Sequence, residues 1–120
     1  MKRTGPTNEQ MNTLIYELKK ESTSQKVKIW KRIAEDLEKP TRKRRIVNLS
    51  RINRSTKANE TIVVPGKVLG SGTLKHGLTV AAFSFSQSAK KIIEQAKGKY
   101  ITINELLKNN PKGKDVRIIG

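Results

Sequence analysis

Apolar residues first recur at helical spacing: Met11, Leu14, Ile15 and Leu18 fall at i, i+3, i+4 and i+7, on one face of an α-helix. Thr7 or Asn8 can cap that helix, Glu9 suits its positive end, and Lys19 and Lys20 suit the other. The polar run Glu21-Ser-Thr-Ser24 interrupts the pattern. A second helix then starts at Ser24 or Gln25 and carries Val27, Trp30, Ile33, Ala34 and Leu37 on one side until Pro40, which forbids continuation. The spacing assigns Tyr16 and Trp30 to the core rather than to base stacking.

Past Pro40 the period shortens. Ile46 to Leu49 reads as a short buried strand, and Ser50 can cap one helical turn carrying Arg51, Ile52 and Arg54. Thr61 to Val64 is a β-branched strand, which the turn dipeptide Pro65-Gly66 is expected to stop. Four of the eight glycines, Gly66, Gly70, Gly72 and Gly77, then fall in one segment, where the chain must turn tightly or admit a close neighbour. Leu78 to Phe85 is the longest strand candidate; Leu78, Val80 and Ala82 alternate along it before Phe83 and Phe85 shift the apolar face. Ser86 or Ser88 caps a helix running through Lys97, with Ile92, Ile93 and Ala96 inward and Gly98 at C′.

The end repeats an earlier theme. Ile101 to Asn109 aligns with Val47 to Ser55: a short apolar strand, a capping Asn104 or Ser50, and one or two helical turns. Each copy is followed by a loop and a β-branched strand, at 61–64 and 116–119. Such a repeat implies coils of one irregular superhelix rather than a single flat sheet. The expected organisation is one domain over 1–120: a basic arm at 1–6, a helical pair at 7–40, a basic linker at 41–45 and an α/β core at 46–120.

Charge changes the picture most. The formal net charge is +16, and it is spread: residues 1–60 hold sixteen Lys or Arg against seven acids, and residues 61–120 hold ten against three. The folded body is therefore basic, and like charge on a compact body is relieved by a polyanion. Between Glu38 and Glu60 there is no acid, while Lys39, Arg42, Lys43, Arg44, Arg45, Arg51, Arg54 and Lys57 are all cationic. Guanidinium forks match phosphate oxygens, so RNA or DNA is expected along this stretch. The chain has no cysteine and needs no oxidising compartment. Its start lacks the apolar region of a secretory signal, and no run of about 18 apolar residues could span a bilayer. A soluble intracellular protein is expected.

Candidate chemistry narrows the function further. The Gly66 to Gly72 stretch lacks the Lys-Ser/Thr placement of a phosphate loop and the Gly-x-Gly-x-x-Gly of a dinucleotide site. His76 is the sole histidine, with no cysteine or second histidine to share a metal and no placed nucleophile, so a phosphate or base-edge contact or simple exposure remains. Glu35, Asp36 and Glu38 sit among Lys31, Arg32 and Lys39, where intrahelical salt bridges explain them. Five aromatics are too few for stacking platforms along a single strand. Phosphate contact and shape recognition of a folded RNA are left, without catalysis, metal or cofactor. The rival reading is a DNA-binding regulator that uses the helical pair as a helix-turn-helix.

Four segments resemble a known family in order and spacing: Lys2 to Pro6, Arg44 to Arg54, Val64 to Gly72 and Leu78 to Ser84. The chain is similar throughout to the large-subunit ribosomal protein eighteen of the archaeal and eukaryotic set. Ending at Gly120 without a long basic extension, and closing with Asn110 to Ile119, it resembles the archaeal form. The resemblance implies an α/β fold with two N-terminal helices followed by an irregular strand-strand-helix superhelical core, related to bacterial large-subunit protein fifteen. It implies a non-enzymatic, cytoplasmic protein of the large ribosomal subunit, with ribosomal RNA and neighbouring ribosomal proteins as partners and no membrane or small-molecule substrate. On that basis Arg44, Arg45, Arg51, Arg54, Lys67 and the turn Gly70, Ser71, Gly72 are assigned to RNA. Lys2, Arg3, Arg42, Lys43, Lys75 and His76 are assigned to it by charge and position alone.

Overall fold

Asn8–Gln25 form helix α1 and Ile29–Leu37 form α2 in the computed structural model, which describes residues 8–39 and 45–119. The arm at 1–6 and residues 41–44 of the linker lie outside the described residues. Helix α1 does not stop at Glu21. Thr23 Oγ1 donates to Lys19 O at 3.2 Å and Ser22 Oγ donates to Val27 O, so these hydroxyls find local backbone acceptors without breaking the helix. The stop comes at Lys26, whose φ is 58°, with Val27 N–H reaching back to Ser22 O at 3.2 Å, the bond that closes a Schellman-type end. The second helix consequently begins at Ile29 rather than at Ser24 or Gln25.

Trp30 is fully buried, as its spacing requires, but Tyr16 is 66% exposed. Tyr16 lies two residues from Leu14, about 200° around the helix from the inward stripe. The acids at the end of α2 pair in two ways. Asp36 meets Lys39 at 3.1 Å within three residues, whereas Glu38 crosses to Lys19 of α1 at 3.1 Å and ties the two helices together.

The rest of the chain alternates strand and crossover. Strand β1 is Arg45–Asn48, α3 Leu49–Ser55, β2 Thr61–Leu69, β3 Thr79–Phe85, α4 Gln87–Gln95, β4 Lys99–Thr102, α5 Ile103–Asn109 and β5 Val116–Ile118. All five strands pair in parallel, in the order β1-β2-β3-β4, with β5 also beside β2. Strands β2, β3 and β4 each return beside the strand before them, whereas β5 crosses back to β2, and all five share one sheet where the repeat had implied coils of a superhelix. The two copies match in length, Arg45–Ser55 and Lys99–Asn109 each being a four-residue strand and a seven-residue helix. Their caps fall two residues earlier than Ser50 and Asn104: Asn48 stands at the start of α3, and Thr102 forms a capping box with Glu105.

Pro65-Gly66 does not end β2, which runs on to Leu69. The register with β3 shifts between Val64 and Lys67, where β2 holds one residue more than its partner. This is a β-bulge, the place where a strand tolerates a proline without an N–H. The bulge also divides the other edge of β2: Thr61 to Val63 pair with β5, and Gly66 to Leu69 pair with β1.

Alternation along the strands feeds two cores, as a parallel sheet covered on both faces requires. Ile62, Val64, Val80 and Ala82 pack with Leu49 and Ile52 of α3, Ala89 and Ile93 of α4, and Leu74 and Leu78 of the 70–78 loop. Val63 and Ala81 pack on the other side with Leu14 and Leu18 of α1, Trp30 and Ile33 of α2, and Leu106 and Leu107 of α5. Of the two phenylalanines of β3, Phe83 joins the second core and Phe85 the first. Ser86 caps α4 by accepting from Ala89 N–H at 3.1 Å. At its far end the left-handed C′ residue is Lys97, φ 64°, rather than Gly98, whose N–H closes the motif on Ile93 O at 2.9 Å.

Candidate nucleic-acid interface

Helix α3 turns Leu49 and Ile52 into the core and leaves Arg51 and Arg54 exposed. Its polar residues form a separate stripe at three-residue spacing that grips the glycine loop. Ser50 N–H donates to Ser71 O at 3.1 Å, Asn53 Oδ1 accepts from Lys75 N–H at 2.8 Å, and Thr56 Oγ1 meets His76 Nε2 at 2.8 Å. Thr56 Oγ1 also donates to Ile52 O at 2.6 Å, so its one proton is committed. Nε2 of His76 must therefore carry a proton and act as the donor. Asn59 N–H closes the arrangement on Gly77 O at 2.8 Å.

The glycines of this loop serve packing. A Cβ on Gly70 would stand 2.5 Å from Ala89 N at the start of α4. Gly72 has φ +90° and would put a Cβ 2.4 Å from Ser50 Cβ. The Cβ side of both is filled by this chain, while Ser71 and Gly72 themselves remain exposed.

The structure thus brings Arg51, Arg54, Ser71, Lys75 and His76 to one surface. Lys67 does not join them. It pairs with Ile46 of β1 and Ser84 of β3, and it follows the opposite pleat to Val68, which is buried with α3 and α4. Lys67 and the 62% exposed Ile46 lie instead on the face of α1 and α2. The backbone of Arg45 pairs with Gly66 at the start of β1. Lys2, Arg3, Arg42, Lys43 and Arg44 lie outside the described residues.

Charge is sorted by layer. Segments 49–60, 70–78 and 87–97, around α3, the loop and α4, hold Arg51, Arg54, Lys57, Lys75, Lys90, Lys91 and Lys97 against only Glu60 and Glu94. The opposite layer, 8–39 with 103–115, holds ten Lys or Arg against eight acids. Lys90 additionally sits 5.9 Å from the Tyr100 ring centroid, within cation–π range. Residue-by-residue reading of the sequence missed the hold of Ser50, Asn53 and Thr56 on the loop, though it placed Lys57 in the cationic stretch. The signal is a triplet rhythm, Ser50-Arg51-Ile52, Asn53-Arg54-Ser55, Thr56-Lys57-Ala58, in which a polar residue precedes each cation.

A parallel α/β body that carries a cation-rich layer defines a basic α/β protein. The particular family is fixed by comparison: residues 4–120 match the family described as Ribosomal protein 60S L18 and 50S L18e, and the chain belongs to it. It is a family of ribosomal proteins and not of enzymes. The chain is 51% identical over 113 residues to the large ribosomal subunit protein eL18 of Methanoregula boonei, covering 94% of this chain and 93% of that one. It is 48% identical over 119 residues to eL18 of Methanococcus maripaludis, covering 99% of both. Against eL18 of Sulfurisphaera tokodaii it is 48% identical over 117 residues, 98% of this chain and 96% of the relative.

Proposed function

We propose that this chain is a structural constituent of the large ribosomal subunit in the cytoplasm, and that it stabilises folded ribosomal RNA by neutralising phosphates with the layer built on α3, the 70–78 loop and α4. The observation that carries this reading is the sorting of charge: seven cations against two acids on that layer, in a family whose relatives are large-subunit proteins.

The mechanism follows from the two stripes of α3. Ser50, Asn53 and Thr56 hold the loop, while Arg51 and Arg54 stand exposed one residue on along α3 and Lys57 follows just past its end. A rigid row of cations meets RNA phosphates without first having to be ordered, and each such pairing releases condensed counterions. Lys75 and His76 extend the row from the loop. Lys2, Arg3, Arg42, Lys43, Arg44 and Arg45 are assigned the same role from the arm and linker, and Lys67 serves a second contact on the opposite face. Neighbouring ribosomal proteins cover other parts of the surface.

Nothing favours the DNA-regulator reading. Helix α2, which would enter the groove, buries Trp30, Ile33, Ala34, Asp36 and Leu37. The test is a sucrose gradient of a cell lysate. The protein should travel with large subunits and leave them only at high salt; recovery at the top of the gradient at low salt would overturn the proposal.

A further inference from the structure

A groove of about 700 Å³ opens between α1 and the start of α5, over the carboxyl ends of β3 and β4. Its floor is apolar: Leu14, Phe83 and Ile103. Its α1 wall carries Glu9, Thr13 and Glu17, one stripe at four-residue spacing, and the opposite wall carries Asn104. Among the described residues no Lys or Arg lines it, although the chain has 26 of them against 10 acids. A second groove, beside α2 and β5, is lined by Lys28, Lys31, Arg32 and Arg117 against one acid, Glu35. The α1–α5 groove stands apart in charge from a molecule of net +16.

The charged groups among its described lining residues are both carboxylates, beside the neutral Gln10, Thr13, Ser84, Thr102 and Asn104. The carboxylates of Glu9 and Glu17 accept only. RNA phosphates bring more acceptors and more negative charge, the wrong complement. An extended segment with lysine or arginine beside an apolar side chain brings donors for the walls and surface for the floor.

We propose that the α1–α5 groove, on the layer opposite α3, the 70–78 loop and α4, docks a basic, partly apolar extended segment of a neighbouring ribosomal protein. This goes beyond the RNA reading but rests on its premise that the chain sits in large subunits. A Thr13→p-benzoylphenylalanine variant, incorporated into large subunits and irradiated, places a photocrosslinker in the groove wall. The proposal expects the crosslinked peptide, identified by mass spectrometry, to be a lysine- or arginine-containing segment of another ribosomal protein. It also expects E9Q/E17Q to lower the yield roughly three- to tenfold, the range for losing two partly exposed ion pairs, without lowering incorporation. Crosslinking to ribosomal RNA, to residues 1–6 of this chain or to a segment without cations would overturn it, as would a yield insensitive to E9Q/E17Q. Failure of the variants and the wild type alike to enter large subunits would instead overturn the RNA reading and its premise.

Discussion

Gly72 lies against Ser50 so closely that a Cβ there would stand 2.4 Å from the serine Cβ and 3.0 Å from its Cα. The loop and α3 meet at a spacing only glycine permits, and φ +90° at Gly72 reinforces the requirement. G72A should therefore destabilise the fold by about 2–4 kcal/mol, combining overpacking with left-handed strain. Urea unfolding measures it. In an S50G background the added cost of G72A should shrink, since the methylene it strikes is gone; an unchanged cost would assign the whole effect to φ.

Trp30 joins the two ends of the chain. Its Nε1–H donates to Pro111 O at 2.6 Å, inside the loop that carries the chain from α5 back to β5. That loop is braced by Asn110, whose Nδ2 donates to Lys114 O at 2.9 Å and whose Oδ1 accepts from Lys114 N–H at 3.2 Å. W30F removes the donor and leaves both a void and an unsatisfied carbonyl. The expected loss is about 2–4 kcal/mol, read as a lower urea midpoint by far-ultraviolet circular dichroism. Hydrogen exchange should rise most at Ile119, whose N–H bonds Val63 O at 3.0 Å beside β5.

The Thr56–His76 contact fixes a proton position. Because Thr56 Oγ1 gives its hydrogen to Ile52 O, the neutral imidazole of His76 should be the Nε2–H tautomer, visible in nitrogen-15 spectra of the ring. T56V should release that ring to both tautomers and cost about 1–2 kcal/mol in stability, one buried hydroxyl with two hydrogen bonds. A neutral ring holding its proton on Nδ1 in the wild type would contradict the arrangement.

Much of the fold was legible because period and capping act locally. The apolar stripe of α1, the strands of 46–49, 61–64 and 116–119, the Ser86 cap and the α/β class all follow from spacing that neighbouring residues enforce. The errors share a cause: a local stop signal was overruled by a partner elsewhere in the chain. Pro65-Gly66 reads as a turn until β1, β3 and β5 are present to absorb it as a bulge. Ser22 and Thr23 read as a break until their hydroxyls find Val27 O and Lys19 O. In the candidate interface, single cations were visible, but the grip of Ser50, Asn53 and Thr56 on the loop was not. It links residues about twenty apart in sequence, such as Thr56 and His76, that only the β2–β3 crossover brings together.

The most direct measurement is the salt dependence of binding to a large-subunit RNA fragment, compared between two variants that lose the same charge from opposite layers. R54Q/K75Q removes two cations from the α3–loop layer, and K31Q/R32Q removes two from α2. The first should make the log–log slope shallower by roughly 1.4–1.8 units, about 0.7–0.9 for each phosphate no longer neutralised, and the second should leave it close to the wild-type value. Equal slopes for the two variants would contradict an RNA-facing layer, because the +16 charge would then be acting as a diffuse field with no preferred side.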